Sequence, residues 1–265
     1  MNRRTLAALL PPALLLLAVG GLSELALREL PLDAAHRMLL PLPSAVLREC
    51  WLARNELVAR AGMTGLAALL GFAASIALGV TAAIGLATLP WVRRAFYPYM
   101  IFFQTVPIVA LAPILVVILG AGLKPVAASA FIVSVFPVIA NTLNGLLSTE
   151  PALLDLFRLY GAGRVFTFAR LRLPAALPDV FTGLRVAAGL AVIGAIVGDF
   201  VAGATHWSGG GLGLSMAEGL RLFQTARVYA SVLLACLLGL AMFGLVNAAG
   251  WLALRRWHAS QVPGR

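Results

Sequence analysis

Few side chains in this sequence could do covalent chemistry, and their spacing argues against it. The histidines His36, His206 and His258 fall in three different segments, and the two cysteines, Cys50 and Cys236, are far apart. That pattern offers neither a metal-ligand set nor a nucleophile beside a base, and it makes no disulfide framework. The one lysine, Lys124, stands between Leu123 and Pro125, so the Gly-Lys-Ser/Thr of a phosphate-binding loop is missing. Hydrolysis of ATP by that route is excluded. What remains is a polar stretch from Ser148 to Arg185 that carries Asp155, Arg158, Gly161 and Arg164. Its residues suit ion pairing and docking.

The elements that must position this stretch are apolar. With 61% hydrophobic and 11% charged residues and a mean hydropathy of +0.96, the chain lies far outside the range of soluble domains. A bilayer core takes about 20 apolar residues per helix, and six runs of that kind are present: Thr5 to Leu22, Thr64 to Leu89, Tyr99 to Leu119, Val126 to Leu147, Val180 to Ala202 and Val228 to Leu254. The expected fold is an all-α polytopic membrane protein with six transmembrane helices. It divides into 1–62 (first helix plus an extracytoplasmic amphipathic segment), 63–254 (a five-helix core with a cytoplasmic loop at 148–178) and a cytoplasmic tail, 255–265. The first run, behind Arg3 and Arg4, also resembles a secretory signal, but it is longer than a signal's apolar region, and a retained helix bent at Pro11-Pro12 is expected.

A net charge of +10 could indicate nucleic acid, yet the basic residues follow topology and form no single patch, so no nucleic-acid partner is expected. With the amino terminus in the cytoplasm, twelve arginines lie inside and eight basic residues outside. The positive-inside rule then favours both termini in the cytoplasm.

Within lipid, close helix contact relies on small residues. Ala67, Gly71, Ser75, Gly79 and Ala83 recur every four residues in the second run, and Gly194, Gly198 and Ala202 repeat the pattern in the fifth. Packing inside the bundle and a subunit interface both fit. Pro107, Pro113, Pro125 and Pro137 mark bends or stops, with Gln104, Thr105, Asn141, Thr142 and Asn144 supplying polar groups nearby. These fit either local helix kinks or a translocation path.

In the polar stretch, Glu150-Pro151 can open a helix. Leu153, Leu156, Phe157 and Tyr160 follow at helical spacing, Gly161 and Gly163 interrupt, and a second short helix from Arg164 carries Val165, Phe166 and Phe168 before Pro174. Two short amphipathic helices make a platform at the membrane surface, resting on lipid or meeting a soluble partner.

The spacing Asp155-Leu156-Phe157, three residues, Gly161, nine residues, Leu171-Arg172-Leu173-Pro174 resembles the EAA signature of binding-protein-dependent ABC importer permeases. It departs from that signature in Asp for Glu, Leu-Phe for Ala-Ala and Leu for Ile. Gln104 to Pro113, Leu119-Gly120-Ala121-Gly122, Phe136 to Thr142 and Thr182-Gly183-Leu184-Arg185 also resemble the nitrate, sulfonate and taurine permease group, which serves thiamine-precursor import as well.

The resemblance implies a type I importer permease of the bacterial inner membrane. It implies a homodimer working with two ABC ATPase subunits and an extracytoplasmic substrate-binding protein, with ATP and Mg held by the ATPase and no cofactor in this chain. Asp155 to Pro174 would then be the coupling segment: Gly161 its turn, Pro174 the end of its second helix, Arg158 and Arg164 polar contacts, and Phe157, Phe166 and Leu173 apolar ones. The path would draw on Gln104, Thr105, Pro107 and Asn141. Asp199, near one interface, is either solvated or a gate residue. Gly209 to Gly213 form either a plain flexible loop or a gate, with Gly210, Gly211 and Gly213 on the binding-protein surface. Trp51 would border that surface from a helix capped by Ser44. The expected solute is a sulfonate, taurine or nitrate-like anion, or a vitamin or pyrimidine precursor. A secondary transporter or channel working without ATP is the competing class, and a membrane-embedded enzyme is weaker still.

Overall fold

A computed structural model describes residues 3–30, 33, 39–202 and 210–255. The expectations for His36, His206, Gly209 and His258, and for the tail beyond Arg255, lie outside these residues. The described elements are helices: α1 Arg3–Glu29, α2 Pro43–Leu52, α3 Arg54–Thr88, α4 Pro90–Thr105, α5 Ile108–Leu119, α6 Leu123–Leu147 and α7 Pro151–Leu159, α8 Arg164–Ala202, then α9 Leu212–Arg221 and α10 Thr225–Leu254. Among the described residues, α3, α6, α8 and α10 are long and apolar enough to cross a membrane.

The centre of the bundle is α6, packed along α3 on one side and α8 on the other. Small residues permit this. A Cβ on Gly71 of α3 would lie 2.5 Å from the Ala127 carbonyl oxygen, and one on Gly194 of α8 would lie 2.7 Å from that of Ser129. Ala67, Ala130, Ala187, Ala191 and Ala195 are fully buried around these contacts. Between helices in lipid the gain comes from dispersion across closely spaced backbones, because apolar side chains are equally at home in lipid. The small-residue stripes are thus the bundle's own packing faces. Two hydroxyls join the same seam: Ser75 Oγ and Ser134 Oγ lie 2.6 Å apart, each also within reach of a carbonyl of its own helix. Buried polar groups are thereby satisfied without water.

Two expectations about helix ends are corrected. The Tyr99 to Leu119 run is two helices, because the chain breaks at Val106-Pro107, and Pro107 starts α5 in an extended conformation. Pro174 does not stop a helix. A π-helical turn at Phe168–Arg172 directly precedes it, and the wider turn carries α8 past a residue that cannot donate a backbone hydrogen bond. Pro11-Pro12 lie within the helical run of α1.

Ser44 is not the cap of α2, whose helical residues begin at Pro43. The Ser44 N–H and hydroxyl instead donate to the Glu24 carboxylate of α1, at 3.0 and 2.8 Å. One orphan backbone donor of the α2 amino terminus, the Ser44 N–H, is thus met from another helix.

Candidate coupling turn and translocation path

The polar stretch folds into a compact corner. The amphipathic helix α7 opens at Pro151 after Glu150 and closes in a Schellman motif: Gly161 N–H donates to the Arg158 carbonyl at 2.9 Å, and Ala162 N–H to that of Phe157 at 3.0 Å. The motif needs a left-handed residue, and Gly161 supplies it at φ +69°. Asp155 pairs with Arg158 one turn on at 3.0 Å, but both are well exposed, so the pair adds only a few tenths of a kcal/mol. Phe157 lies against Phe166 of α8 with ring centroids 6.3 Å apart, which ties the two sides of the corner together.

The pairing of Phe157 with Phe166 leaves other side chains at the tip. Leu159, Tyr160 and Val165 are 84%, 83% and 83% exposed. Sequence reasoning placed Tyr160 and Val165 on the apolar faces of the two short helices without giving them a contact role and did not name Leu159, though their place beside Gly161 was a signal, since side chains flanking a tight turn project outward. Arg164 begins α8 beyond the turn, and Leu173 is exposed where the π-helical turn ends.

At the far end of α8 lies a buried polar cluster. Asp199 is 1% exposed, which overturns its reading as a solvated residue. Its carboxylate accepts the Gly211 N–H at 3.0 Å and the Leu214 N–H at 2.9 Å, while Thr64 Oγ1 of α3 accepts the Leu212 N–H at 2.8 Å. These are the free donors at the start of α9, capped by side chains of two other helices. Gly211 and Gly213 are buried here rather than presented on a surface. A Cβ on Gly213 would stand 2.3 Å from the Ile196 carbonyl oxygen, and one on Gly211 would stand 2.2 Å from Thr64 Oγ1. Gly210 is partly exposed beside them. Thr64 had one legible signal, a hydroxyl at the first residue of an apolar run.

Around this cluster, charged side chains bind four elements. Arg60 reaches Glu56 at 2.9 Å and Glu218 at 2.8 Å, and Arg227 meets Glu56 and, at 3.8 Å, Glu49. Helices α2, α3, α9 and α10 are thus joined by one network. Trp51 is exposed, with the Arg54 guanidinium 4.8 Å from its ring centroid.

Gln104 and Thr105 close α4 just before the break. Thr105 Oγ1 donates to the Phe102 carbonyl at 2.7 Å, whereas Gln104 faces a cavity of about 590 Å³ walled by α4, α5, α6 and Leu190 of α8. Asn141 turns its amide to the Pro137 carbonyl at 2.9 Å and packs where Gly183 lacks a side chain. The structure therefore brings Gln104 to the cavity and places Asn141 in the seam between α6 and α8.

Comparison with known proteins decides the class. The family described as "Binding-protein-dependent transport system inner membrane component" matches residues 75–253, well over half of the chain. The chain belongs to this family. As an inner membrane component it is similar to the formylaminopyrimidine transport permease protein ThiX of Halalkalibacterium halodurans, 38% identical over 59% of this chain and 60% of that protein. It is also similar to the riboflavin transport system permease protein RibX of Chloroflexus aurantiacus, 32% identical over 66% of this chain and 63% of that protein. The match spans less than two thirds of the length of either relative. A chain of the MetNI methionine ABC transporter, solved in inward-facing conformations, shares the fold with a TM-score of 0.55, 22% identity, and coverage of 79% of this chain and 97% of that one. The all-helical, multi-pass membrane architecture expected from hydropathy agrees with these likenesses.

Proposed function

We propose that this inner membrane component is the permease subunit of an ATP-driven importer, and that the corner at Gly161 receives a separate ATPase subunit. The observation that carries the reading is the left-handed Gly161 at the spacing of the EAA signature, closing a helix at a corner whose tip bears Leu159, Tyr160 and, from the start of α8, Val165 exposed. A glycine-closed helix with bare apolar and aromatic side chains fits a groove on a soluble partner, where such residues commonly supply most of the binding energy. Asp155, Arg158 and Arg164 form its polar rim, and the contact of Phe157 with Phe166 braces it, Phe166 itself being 56% exposed and adding to the apolar surface. ATP and Mg belong to that partner.

In the proposed arrangement two copies of the chain enclose the path. Each crosses the membrane six times, with α1 and the broken pair α4–α5 adding to the four long spans, and both termini are cytoplasmic. Gln104, Thr105 and Pro107 lie at the break beside the path, Asn141 braces its wall, and Asp199 holds the gate helix α9. A substrate-binding protein approaches the α2 and α9 end near Trp51 and Gly210. The names of the two relatives favour a vitamin or pyrimidine precursor over a sulfonate, taurine or nitrate-like anion.

The test is recovery of the tagged chain from native membranes in mild detergent, with its companions identified by mass spectrometry. Co-recovery of an ATPase, lost when Tyr160 and Val165 are replaced by Asp, supports the reading. Reproducible absence of any ATPase overturns it in favour of a self-contained transporter.

A further inference from the structure

The cavity at the α4–α5 break has a composition that selects by chemistry. Its volume, about 590 Å³, is that of a small-molecule site. Its walls are apolar, with Phe131 and Phe136 among them, and among the described residues no charged one lines it. Gln104 is the one side chain there that carries an amide, and that amide makes no hydrogen bond to the protein among the described residues.

An anion entering this space would lose its hydration with no cation to replace it, a cost that keeps charges out of uncompensated sites at membrane depth. Cationic lining is found in a different cavity, of about 430 Å³, whose walls include Arg93, Arg94 and Asn144. An uncharged ring has no such penalty. A primary amide presents a donor and an acceptor side by side and pairs with a ring edge offering the complementary two. The faces of Phe131 and Phe136 suit a flat ring.

We propose that this cavity is a solute site for an uncharged planar nitrogen heterocycle, with Gln104 reading the donor–acceptor edge of the ring and Phe131 and Phe136 meeting its face. The inference rests on the reading of the chain as a permease and adds where the solute pauses and what selects it.

The experiment uses the full chain in lipid nanodiscs, with Cys50→Ser, Cys236→Ser and, on the cavity wall, Val135→Cys. The rate of alkylation by N-ethylmaleimide is followed with and without solute. A panel of uncharged heterocycles from cytosine to lumichrome is compared with nitrate and ethanesulfonate. A bound solute at ten times its dissociation constant leaves about one site in eleven free, so alkylation slows about tenfold. The expected result is protection by one or more heterocycles and by neither anion. Adding Gln104→Leu should weaken that protection about tenfold or more while the unprotected rate is kept.

Protection by the anions alone or equally well overturns the solute class. Protection that survives Gln104→Leu overturns the role of Gln104. A wall cysteine that never reacts, or that no solute protects, removes the site, the former result meaning that a second copy or lipid fills the cavity. Ile132→Cys repeats the measurement should Val135→Cys not fold. Each failure is distinguishable from failure of the permease reading, because recovery of the ATPase does not depend on this cavity.

Discussion

Asp199 of α8 and Thr64 of α3 divide one task between them: Asp199 takes the Gly211 and Leu214 amides and Thr64 takes the Leu212 amide between those two. Two spans therefore hold the amino terminus of α9 in place. Asp199→Ala would leave two buried donors without an acceptor, at about 1–3 kcal/mol each, and Thr64→Val one. Thermal unfolding in detergent should rank them in that order below the native chain, with early proteolysis confined to α9. Equal stability of Asp199→Ala and the native chain would show that the cap is dispensable.

Gly161 has open space where a Cβ would point, but its φ is +69°. Crowding is therefore not what a substitution here would meet; the backbone conformation is. Gly161→Ala should cost about 1–2 kcal/mol locally, and Gly161→Asn less, because Asn tolerates the left-handed region. Capture of the ATPase should fall in the order Gly, Asn, Ala. A bulky residue that captured as well as Gly would detach the turn from docking.

Tyr160 and Val165 contribute exposed surface without supporting the bundle. Tyr160→Ala should lower ATPase capture by about 10-fold or more, the loss expected for an aromatic hot spot of about 2 kcal/mol. The melting temperature should stay unchanged. A parallel fall in melting temperature would instead assign Tyr160 to the fold.

Hydrogen bonds from the Ser44 backbone N–H and then its hydroxyl hold the Glu24 carboxyl below the ordinary carboxylate range, with Arg28 adding to the effect. A depressed native value means that this link between α1 and α2 is fully present above the ordinary range. It is lost as pH falls through the lowered value. Amide hydrogen exchange at Ser44, corrected for intrinsic rates, should be slow at neutral pH and accelerate only in that acid window. Glu24→Gln should remove the pH dependence.

The corner at Gly161 was legible because its signals are local: a proline that starts α7, a glycine that ends it, and a fixed spacing between acid, glycine and Leu-Pro. The small-residue stripes of α3 and α8 were equally plain, though sequence alone could not say what they touch, and their partner proved to be α6. The cap on α9 was hidden for a physical reason. Asp199 and Thr64 act on backbone amides, which carry no residue signature, and they meet those amides only after three helices have packed. Pro174 misled because a proline in isolation argues for a stop, whereas a π-helical turn accommodates it in a continuous helix.

The uninterrupted α8 has a mechanical consequence. Its 39 residues measure about 58 Å at 1.5 Å per residue, with the Gly161 corner at one end and the Asp199 cap at the other. Its Gly183, Gly194 and Gly198 lie directly against α6, so independent sliding of the two helices would break close contacts. In the proposed permease a displacement of the corner reaches α9 through one continuous helix, and the π-helical turn with Pro174 and Pro178 marks where that helix bends most easily.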